Sequence, residues 1–365
     1  MLAPLSRVRT GAALLLAALC LAPRAGIGDP LDIARNRLSN ALILRDAWDG
    51  PNSGPAAQPG KQVVFVAADL GNAGIAGVLS GVEEAAKAIG WKVTVLNARG
   101  NDAERIAALK QAAALKSEGI ILGGFDAVTY APWIDNETGR GAVVVGWHSA
   151  FEPGMVPGTL LFTNVATSAR EVALAAASFA VVDSAGAPAG IIIFTDTNFS
   201  VARAKSDDMA VIVRNCANCR LLATADIPLA SAFVDFPPIA RELQSVYGEA
   251  WKYSLAINDL YYDVMAENDL GDGLKNISAG DGSPSAFARI RTGTGQVATI
   301  AEPLNLQGWQ LIDELNRAFA GEGPSGYVPA PHLVVHDNVN ESGGEQDRYD
   351  PENGYRAAYR KIWNP

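Results

Sequence analysis

The chain has 365 residues, of which 49% are hydrophobic and 19% are charged, and its formal net charge is −10. This length and composition suit one large or two ordinary globular domains with an ample core. The acidic balance argues against a nucleic-acid partner, because binding nucleic acid requires a basic surface.

The first 28 residues predict a signal peptide. Two arginines precede an apolar block, Gly11–Ala22, which is too short to span a bilayer, and the small residues Gly26 and Gly28 suit a signal peptidase. Lipidation of Cys20 is the less favoured alternative, because Leu19 is too large for the usual residue before a lipidated cysteine. We therefore expect a mature protein that begins close to Asp29 and is located in the periplasm.

Residues 29–60 predict a short N-terminal helix followed by a Gly/Pro linker, GPNSGPAAQPG. A Val-rich run at 62–68 and a second apolar run at 93–96 then flank a stretch whose apolar residues recur at helical spacing. In such a βαβ unit, ligands bind at the loop between the strand end and the helix start, which points to Asp69 and Asn72. Capping of the helix is the alternative role for Asn72.

The alternation of strands and helices continues to residue 335 and predicts an α/β protein with parallel sheets. So many strands favour two sheets in two lobes over one open sheet. Strands are expected near 62–68, 92–96, 119–123, 142–146, 160–163, 190–195, 220–224, 253–257, 275–279, 297–300 and 331–335, with helices near 73–89, 102–117, 127–139, 167–183, 199–214, 237–249, 259–269, 284–291 and 305–320. No GxGxxG or GxxxxGK[ST] motif is present, so we expect no nucleotide cofactor.

Two cysteines remain after removal of the signal peptide, in the motif NCANC. In an oxidising compartment, a lone CxxC without a nearby histidine pair favours a disulfide between Cys216 and Cys219 over a zinc site. A thioredoxin-like redox site is less favoured, because this motif follows a helix instead of beginning one. Residues 346–365 form a polar tail whose last helix should pack an aromatic face onto the body; a partner surface is the alternative.

Polar and aromatic side chains follow the carboxyl ends of most predicted strands. Carboxylates, amides and aromatic rings are the groups that bind hydroxyls and stack on the apolar face of a small polar solute. Helix capping is the favoured role for one of them, Asp259, which stands next to a helix start. The remaining candidate ligand-binding residues are Asp69, Asn72, Phe125, Asp126, Trp147, His148, Asn198, Asn258, Asp281 and Glu302.

From Lys61 to Asn338 the chain resembles the ribose- and galactose-type periplasmic solute-binding proteins of ABC importers. LGNAGI at 70–75 is similar to the first ligand loop of this family, and the resemblance gives Asn72 a ligand contact. SVARAKSDDM at 200–209 resembles the segment in which an arginine clamps the ligand, which points to Arg203.

Three further motifs follow in the family's order. AINDLYYDVM at 256–265 resembles the segment whose asparagine reaches the ligand, here Asn258. SAGDGSPSA at 278–286 resembles the segment whose aspartate holds a pair of hydroxyls, here Asp281. TIAEPLNLQGWQLIDEL at 299–315 resembles the hinge, with Glu302 in place of a glutamine.

One departure concerns the ligand. Many sugar binders of the family carry an Asp-Arg pair after the fourth strand, where this chain has Gly146-Trp147-His148. The bidentate clamp is therefore missing, and Trp147 offers a stacking surface instead.

The resemblance implies the type I periplasmic-binding-protein fold, with a ligand cleft between two lobes that close around the solute. It implies a small-molecule solute, an ABC permease in the inner membrane as partner, a monomer, no cofactor and no metal. The chain should cross between the lobes near Thr163, Pro303 and Ala330. The expected lobes are 61–163 plus 303–330 and 164–302 plus 331–345.

Two other functions remain open. The same fold could present its closed form to a chemoreceptor or sensor kinase. A carbohydrate-active enzyme could use Asp69, Asp281 and Glu302 as acid and base. We expect no enzyme, because the chain has no GxSxG elbow and no Cys-His pairing, and no transcription regulator, because a signal peptide stands where a DNA-binding domain would lie.

Overall fold

A computed structural model describes residues 29–184 and 186–364. The predicted signal peptide, with Cys20, lies outside the described residues. Among the described helices, none is both long enough and apolar enough to cross a bilayer. The elements, in chain order, are α1 (Pro30–Ala41), β1 (Gln62–Ala67), α2 (Ala73–Ile89), β2 (Lys92–Asn97), α3 (Asp102–Leu115), β3 (Gly119–Gly123), α4 (Ala131–Gly139), β4 (Val143–Trp147), β5 (Asn164–Val165), α5 (Ala169–Asp183), β6 (Ala189–Thr195), α6 (Ser200–Asn215), β7 (Cys219–Asp226), α7 (Ala232–Tyr247), β8 (Trp251–Ala256), α8 (Leu260–Glu267), β9 (Lys275–Ser278), α9 (Pro284–Thr292), β10 (Ala298–Ala301), α10 (Leu304–Phe319), β11 (His332–Val335), α11 (Val339–Gly343) and α12 (Tyr355–Trp363).

The strands form two sheets, each with its own core. The first has the order β2-β1-β3-β4-β5 and the second the order β11-β10-β9-β8-β6-β7; all pairs are parallel except β10 with β11. Strands such as β3 and β6 are buried along their whole length, as continuous apolar runs covered by helices on both faces should be. The predicted two-lobe α/β architecture is confirmed.

The last strand of the first sheet lies later than the sequence pattern predicts. Residues 160–163 are irregular, and β5 pairs with β4 only at Asn164 and Val165. The buried side chain of Asn164 fixes this register, since it accepts a hydrogen bond from the backbone N–H of Ser149 at 2.8 Å and donates to the carbonyl of Glu152 at 2.8 Å. The first sheet therefore extends to Val165, two residues past the expected crossing near Thr163.

Two helices also begin elsewhere than predicted. α4 starts at Ala131 instead of 127, because Asp126 accepts from the backbone N–H of Thr129 at 2.8 Å and holds a turn before the helix. α7 starts at Ala232, five residues before the predicted start at Pro237. Burial of Ala232 and Phe236 on one face keeps these first turns helical despite the prolines, which lack a backbone donor.

α10 is buried along almost its whole length between α2 and the C-terminal tail. Gly308 and Gly81 make the close packing of α10 on α2 possible, since a Cβ at Gly308 would lie 2.5 Å from the Gly81 carbonyl carbon. On the other side, the Trp363 ring stacks on Trp309 at 5.4 Å, and its indole N–H donates to Asp313 at 2.9 Å. The predicted packing of the aromatic tail face onto the body is confirmed.

The predicted disulfide between Cys216 and Cys219 is present. It joins the end of α6 to the first residue of β7, at the amino-terminal edge of the second sheet. β7 continues to Asp226, so the disulfide lies on the order of 20 Å from the carboxyl edge of that sheet.

Candidate ligand-binding site

The carboxyl ends of the two sheets face each other across a cleft that contains three adjoining cavities. The inner chamber, about 70 Å³, is lined by Asn72, Ile75, Gly124, Trp147, His148, Phe199, Val201, Ala202, Lys205, Leu229, Ile257, Asn258 and Asp281. The middle chamber, about 120 Å³, includes Asp69, Asn72, Arg105, Phe199 and Leu260. The outer chamber, about 460 Å³, includes Arg105, Phe125, Asp126, Tyr130, Asp196, Asn198 and Phe199.

Ten of the eleven predicted ligand-binding residues lie in or beside these chambers, but not all in the same one. Five line the inner chamber: Asn72, Trp147, His148, Asn258 and Asp281. Asp69 lines the middle chamber, and Phe125, Asp126 and Asn198 line the outer one. Glu302 is buried next to the inner chamber and contacts it through His148 and Lys205.

The eleventh residue, Arg203, is exposed on α6 and lines none of the three chambers. Lys205, two residues further along the same helix, is buried and supplies the cation of the inner chamber. A helix turns by about 100° per residue, so two positions apart lie on nearly opposite faces. In this structure α6 therefore brings Lys205, and not Arg203, to the inner chamber.

Asn72 has both of the roles considered for it. Its Oδ1 caps α2 by accepting from the backbone N–H groups of Gly74 and Ile75, at 2.9 and 3.2 Å. The residue also lines the inner chamber. A cap leaves the side-chain NH₂ group of asparagine as a donor for the cavity.

Asp281 is held in the inner chamber by its neighbours in the second lobe. Asn258 donates from Nδ2 to Asp281 Oδ2 at 2.7 Å. The sequence favoured helix capping for Asp259, but its side chain makes no capping hydrogen bond. Its Oδ2 instead accepts from the backbone N–H groups of Gly282 and Ser283, at 2.9 and 3.0 Å. Asp259 thus fixes the loop that carries Asp281, and burial raises its pKa.

The carboxylate of Asp281 also reaches the first lobe. A Cβ atom at Gly74, in the first turn of α2, would lie 2.3 Å from Asp281 Oδ2. The glycine therefore makes room for a carboxylate from the opposite lobe, at a helix N-terminus that favours negative charge.

A buried charge cluster lies behind the inner chamber. Glu302, 1% exposed, has Oε2 at 3.0 Å from His148 Nε2 and accepts from Gln307 Nε2 at 3.1 Å, while Lys205 Nζ lies 3.5 Å from its Oε1. Lys205 also donates to the Ala279 carbonyl at 2.9 Å. Burial opposes ionisation of Glu302, but the charges of His148 and Lys205 outweigh it and hold the pKa of this carboxyl well below its usual value.

His148 is presented to this cluster by an unusual backbone conformation. Its φ of 50° lies in the left-handed region, which costs a non-glycine residue about 1–3 kcal/mol. The imidazole stacks on Trp147 at 3.9 Å, and the Trp147 indole N–H donates to Gln307 at 2.8 Å. The surrounding contacts therefore hold the ring against Glu302.

Asp281 behaves differently from Glu302. Burial raises its pKa to about 6; Lys205 lowers it and the neighbouring Glu302 raises it further. The two carboxyls thus have pKa values pushed in opposite directions, and Asp281 is the one that faces the chamber.

His148, Asp281 and Glu302 could together offer three ligand atoms to a metal, since these atoms lie within 4.8 Å of one another. The ammonium group of Lys205, however, already supplies a positive charge next to Glu302. A divalent cation would have to displace or neutralise it. The cluster is better suited to bind hydroxyl groups, which can donate to Asp281 and accept from Lys205.

Comparison with known proteins supports the fold. No protein-family model and no curated protein matches the chain. Among solved structures, it is similar to GanP, a glucose-galactose binding protein from Geobacillus stearothermophilus (TM-score 0.65, 19% identity, 77% of this chain and 99% of that one).

It is also similar to a carbohydrate transporter solute-binding protein from Agrobacterium radiobacter in complex with D-arabinose (TM-score 0.66, 18% identity, 78% and 97% of the chains) and to the XylFII-LytSN complex (TM-score 0.63, 17% identity, 77% and 99%). The chain therefore has the type I periplasmic-binding-protein fold, as the sequence motifs predicted.

Proposed function

We propose that the protein is the substrate-binding component of an ABC importer, and that it captures a sugar, a polyol or a related oxygen-rich solute between its lobes. One observation carries the proposal: loops from both lobes and helix α6 bring five polar side chains together in one cleft, namely Asn72, His148, Lys205, Asn258 and Asp281. These side chains offer both donors and acceptors to hydroxyls, and Trp147 adds an aromatic surface. The solved structures it resembles include sugar-binding proteins.

In this proposal the signal peptide exports the protein to the periplasm, where it acts as a monomer and delivers the solute to a permease in the inner membrane. The first lobe comprises residues 61–165 and 303–330, and the second 166–302 and 331–345. Closure buries the polar groups of the solute and creates a surface that the permease can distinguish from the open form.

A second candidate is a solute sensor that presents its closed form to a sensor kinase or chemoreceptor. One comparison favours it, because a structure similar to this chain is that of the XylFII-LytSN complex. Both candidates use the same cleft. Two assays separate the candidates. Solute transport reconstituted with a permease encoded by an adjacent gene would support the importer, and capture of a sensor domain encoded by an adjacent gene would support the sensor.

The test of solute binding is native mass spectrometry of the mature protein, followed by a thermal-shift screen of sugars and polyols. A solute present at a hundred times its dissociation constant should add about 2.7 kcal/mol to the free energy of unfolding. If no sugar or polyol raised the melting temperature or co-purified with the protein, the proposal would be rejected.

The ionisation of Asp281 predicts a pH dependence. Solute hydroxyls donate to its carboxylate, so binding requires the ionised form, and a pKa of about 6 predicts roughly tenfold weaker binding at pH 5 than at pH 7.5. The stability of the solute-free protein should depend on pH in the opposite direction. Because the pKa of Asp281 is raised in the folded state, its contribution to stability is fully present below about pH 4 and is lost as the pH rises through 6. Calorimetric titration across this range measures the first effect; Asp281→Asn should flatten the profile, and a steep profile in that variant would contradict the assignment.

The disulfide should have no part in binding. Replacement of both cysteines by serine removes a short cross-link, which should lower the free energy of unfolding by roughly 2 kcal/mol. The solute affinity should stay within twofold of the parent, because the disulfide lies at the opposite edge of the sheet from the cleft. A larger loss of affinity, measured by the same titration, would show that the two regions are coupled.

A further inference from the structure

The outer chamber lies further from the crossing segments than the inner chamber does. Its walls come from the loops after β2 and β3 in the first lobe, and after β6 and β7 in the second. β2 and β7 are the edge strands furthest from β5 and β11. The three chambers therefore form a row that begins near the crossings and ends at the free edge of the cleft.

The inner chamber is small for the solute class proposed above. Its volume of about 70 Å³ is well below the roughly 300 Å³ or more that ligand pockets usually measure. A sugar ring with its hydroxyl groups therefore has to occupy the middle chamber as well. The outer chamber, at about 460 Å³, is large enough for a further ring.

Phe199 connects the three chambers, because it lines each of them. Arg105, from α3 in the opposite lobe, lies over the Phe199 ring with its guanidinium carbon 5.4 Å from the ring centroid. The arginine side chain is only 14% exposed, and its buried Nε has no hydrogen-bond partner among the described residues. An unsatisfied buried donor of this kind costs free energy unless a ligand completes it.

The other polar groups of the outer chamber suit a neutral, hydroxyl-rich ligand. Ser200 donates to Asp126 across the cleft, and Asn198 is exposed at the chamber wall. Although burial opposes it, the hydrogen bonds from Ser200 and from the Thr129 backbone hold the pKa of Asp126 below its usual value, so it remains an acceptor. Tyr130 adds an aromatic ring.

From this geometry we infer that the outer chamber is a second subsite, and that the solute is a two-unit carbohydrate, a disaccharide or a glycoside, whose second unit binds Arg105. The inference rests on the proposed function and defines its ligand. The first unit lies in the inner and middle chambers against Asp281. The second unit stacks beside Phe199 and accepts a hydrogen bond from the Arg105 guanidinium.

The experiment compares one-unit and two-unit ligands by calorimetric titration of the mature protein. The probes are D-glucose, D-galactose and D-arabinose, with maltose, cellobiose, lactose, melibiose and the methyl glycosides. At least one two-unit ligand should bind tenfold or more tighter than its own monosaccharide. Arg105→Met should weaken binding of the two-unit ligand at least fivefold more than it weakens binding of the monosaccharide, because Arg105 borders the middle chamber but contributes its main polar contact to the second unit. Lys110→Met, an exposed position on the same helix, is the matched control and should change neither affinity.

The outcomes separate the two proposals. If monosaccharides bound and no two-unit ligand bound more tightly, the second subsite would be refuted while the solute-binding function stood. If Arg105→Met weakened both ligand classes equally, Arg105 would only assist closure, and the subsite assignment would also fail. If no sugar or polyol bound the parent protein, either in this titration or in the thermal-shift screen, the proposed function itself would fail.

Discussion

Replacing Lys205 with methionine should lower the free energy of unfolding by about 3–5 kcal/mol and abolish solute binding. Methionine keeps most of the buried aliphatic volume but removes the ammonium that lies 3.5 Å from Glu302 Oε1. The Glu302 carboxylate would then be buried without its lysine partner, and breaking a buried ion pair from one side costs this much. Chemical denaturation measures the stability, and calorimetric titration measures the binding.

Arg203→Met is the matched control, since it removes a cation of the same helix from an exposed position. It should change the free energy of unfolding by no more than about 0.5 kcal/mol and leave the affinity intact. Adding Glu302→Gln to Lys205→Met should restore much of the lost stability, because the carboxylate that lost its ammonium partner is then replaced by a neutral amide. Equal effects of the Lys205 and Arg203 variants would show that the buried cluster does not exist as described.

Replacing Gly74 with alanine should weaken solute binding about five- to a hundredfold. The new Cβ would lie 2.3 Å from Asp281 Oδ2, and Asp281 cannot easily retreat because it is buried and bound by Asn258. Overpacking of this kind costs about 1–3 kcal/mol, which here opposes closure of the lobes. The stability of the ligand-free protein should instead stay equal or rise by up to about 1 kcal/mol, because alanine favours the helical conformation.

Opposite effects on stability and affinity distinguish this prediction from general damage to the fold. Gly139→Ala is the control, since a Cβ there would meet no described atom within 4 Å. In an Asp281→Ala background, Gly74→Ala should cause no further loss of affinity, because the clash partner is gone. Additive losses in the double variant would mean that Gly74 acts on the ligand directly and not through Asp281.

Local sequence signals placed most of the candidate residues in the cleft, because the positions of these residues depend on strand order and on where the strands end. Asn258 and Asp281 directly follow strands of one parallel sheet, so the topology alone brings them to the same edge. Lys205 had no such signal, since its role depends on which face of α6 turns inward. The helical spacing of α6 could have identified Lys205, because it falls on the same face as three apolar residues. These residues, Ala202, Met209 and Val213, are buried together with Lys205.

The roles of Asp259 and Arg105 could not be predicted in this way. Asp259 stands at a position where a carboxylate commonly caps a helix, but its partners are backbone N–H groups more than twenty residues away. Arg105 lies in the first turns of a surface helix and gains its meaning only from Phe199 in the other lobe. Both are set by contacts between segments that the chain brings together only after folding.

The sequence by itself determined the two α/β sheets, the disulfide and the aromatic face of the tail, because apolar periodicity, cysteine spacing and helical spacing act over a few residues each. Only the tertiary structure decided that β5 begins at Asn164, that Lys205 and not Arg203 faces the cleft, and that Gly74 gives room to Asp281. Each of these depends on a close contact between distant residues. Such contacts are fixed by the packing of whole elements, and no short pattern in the chain records them.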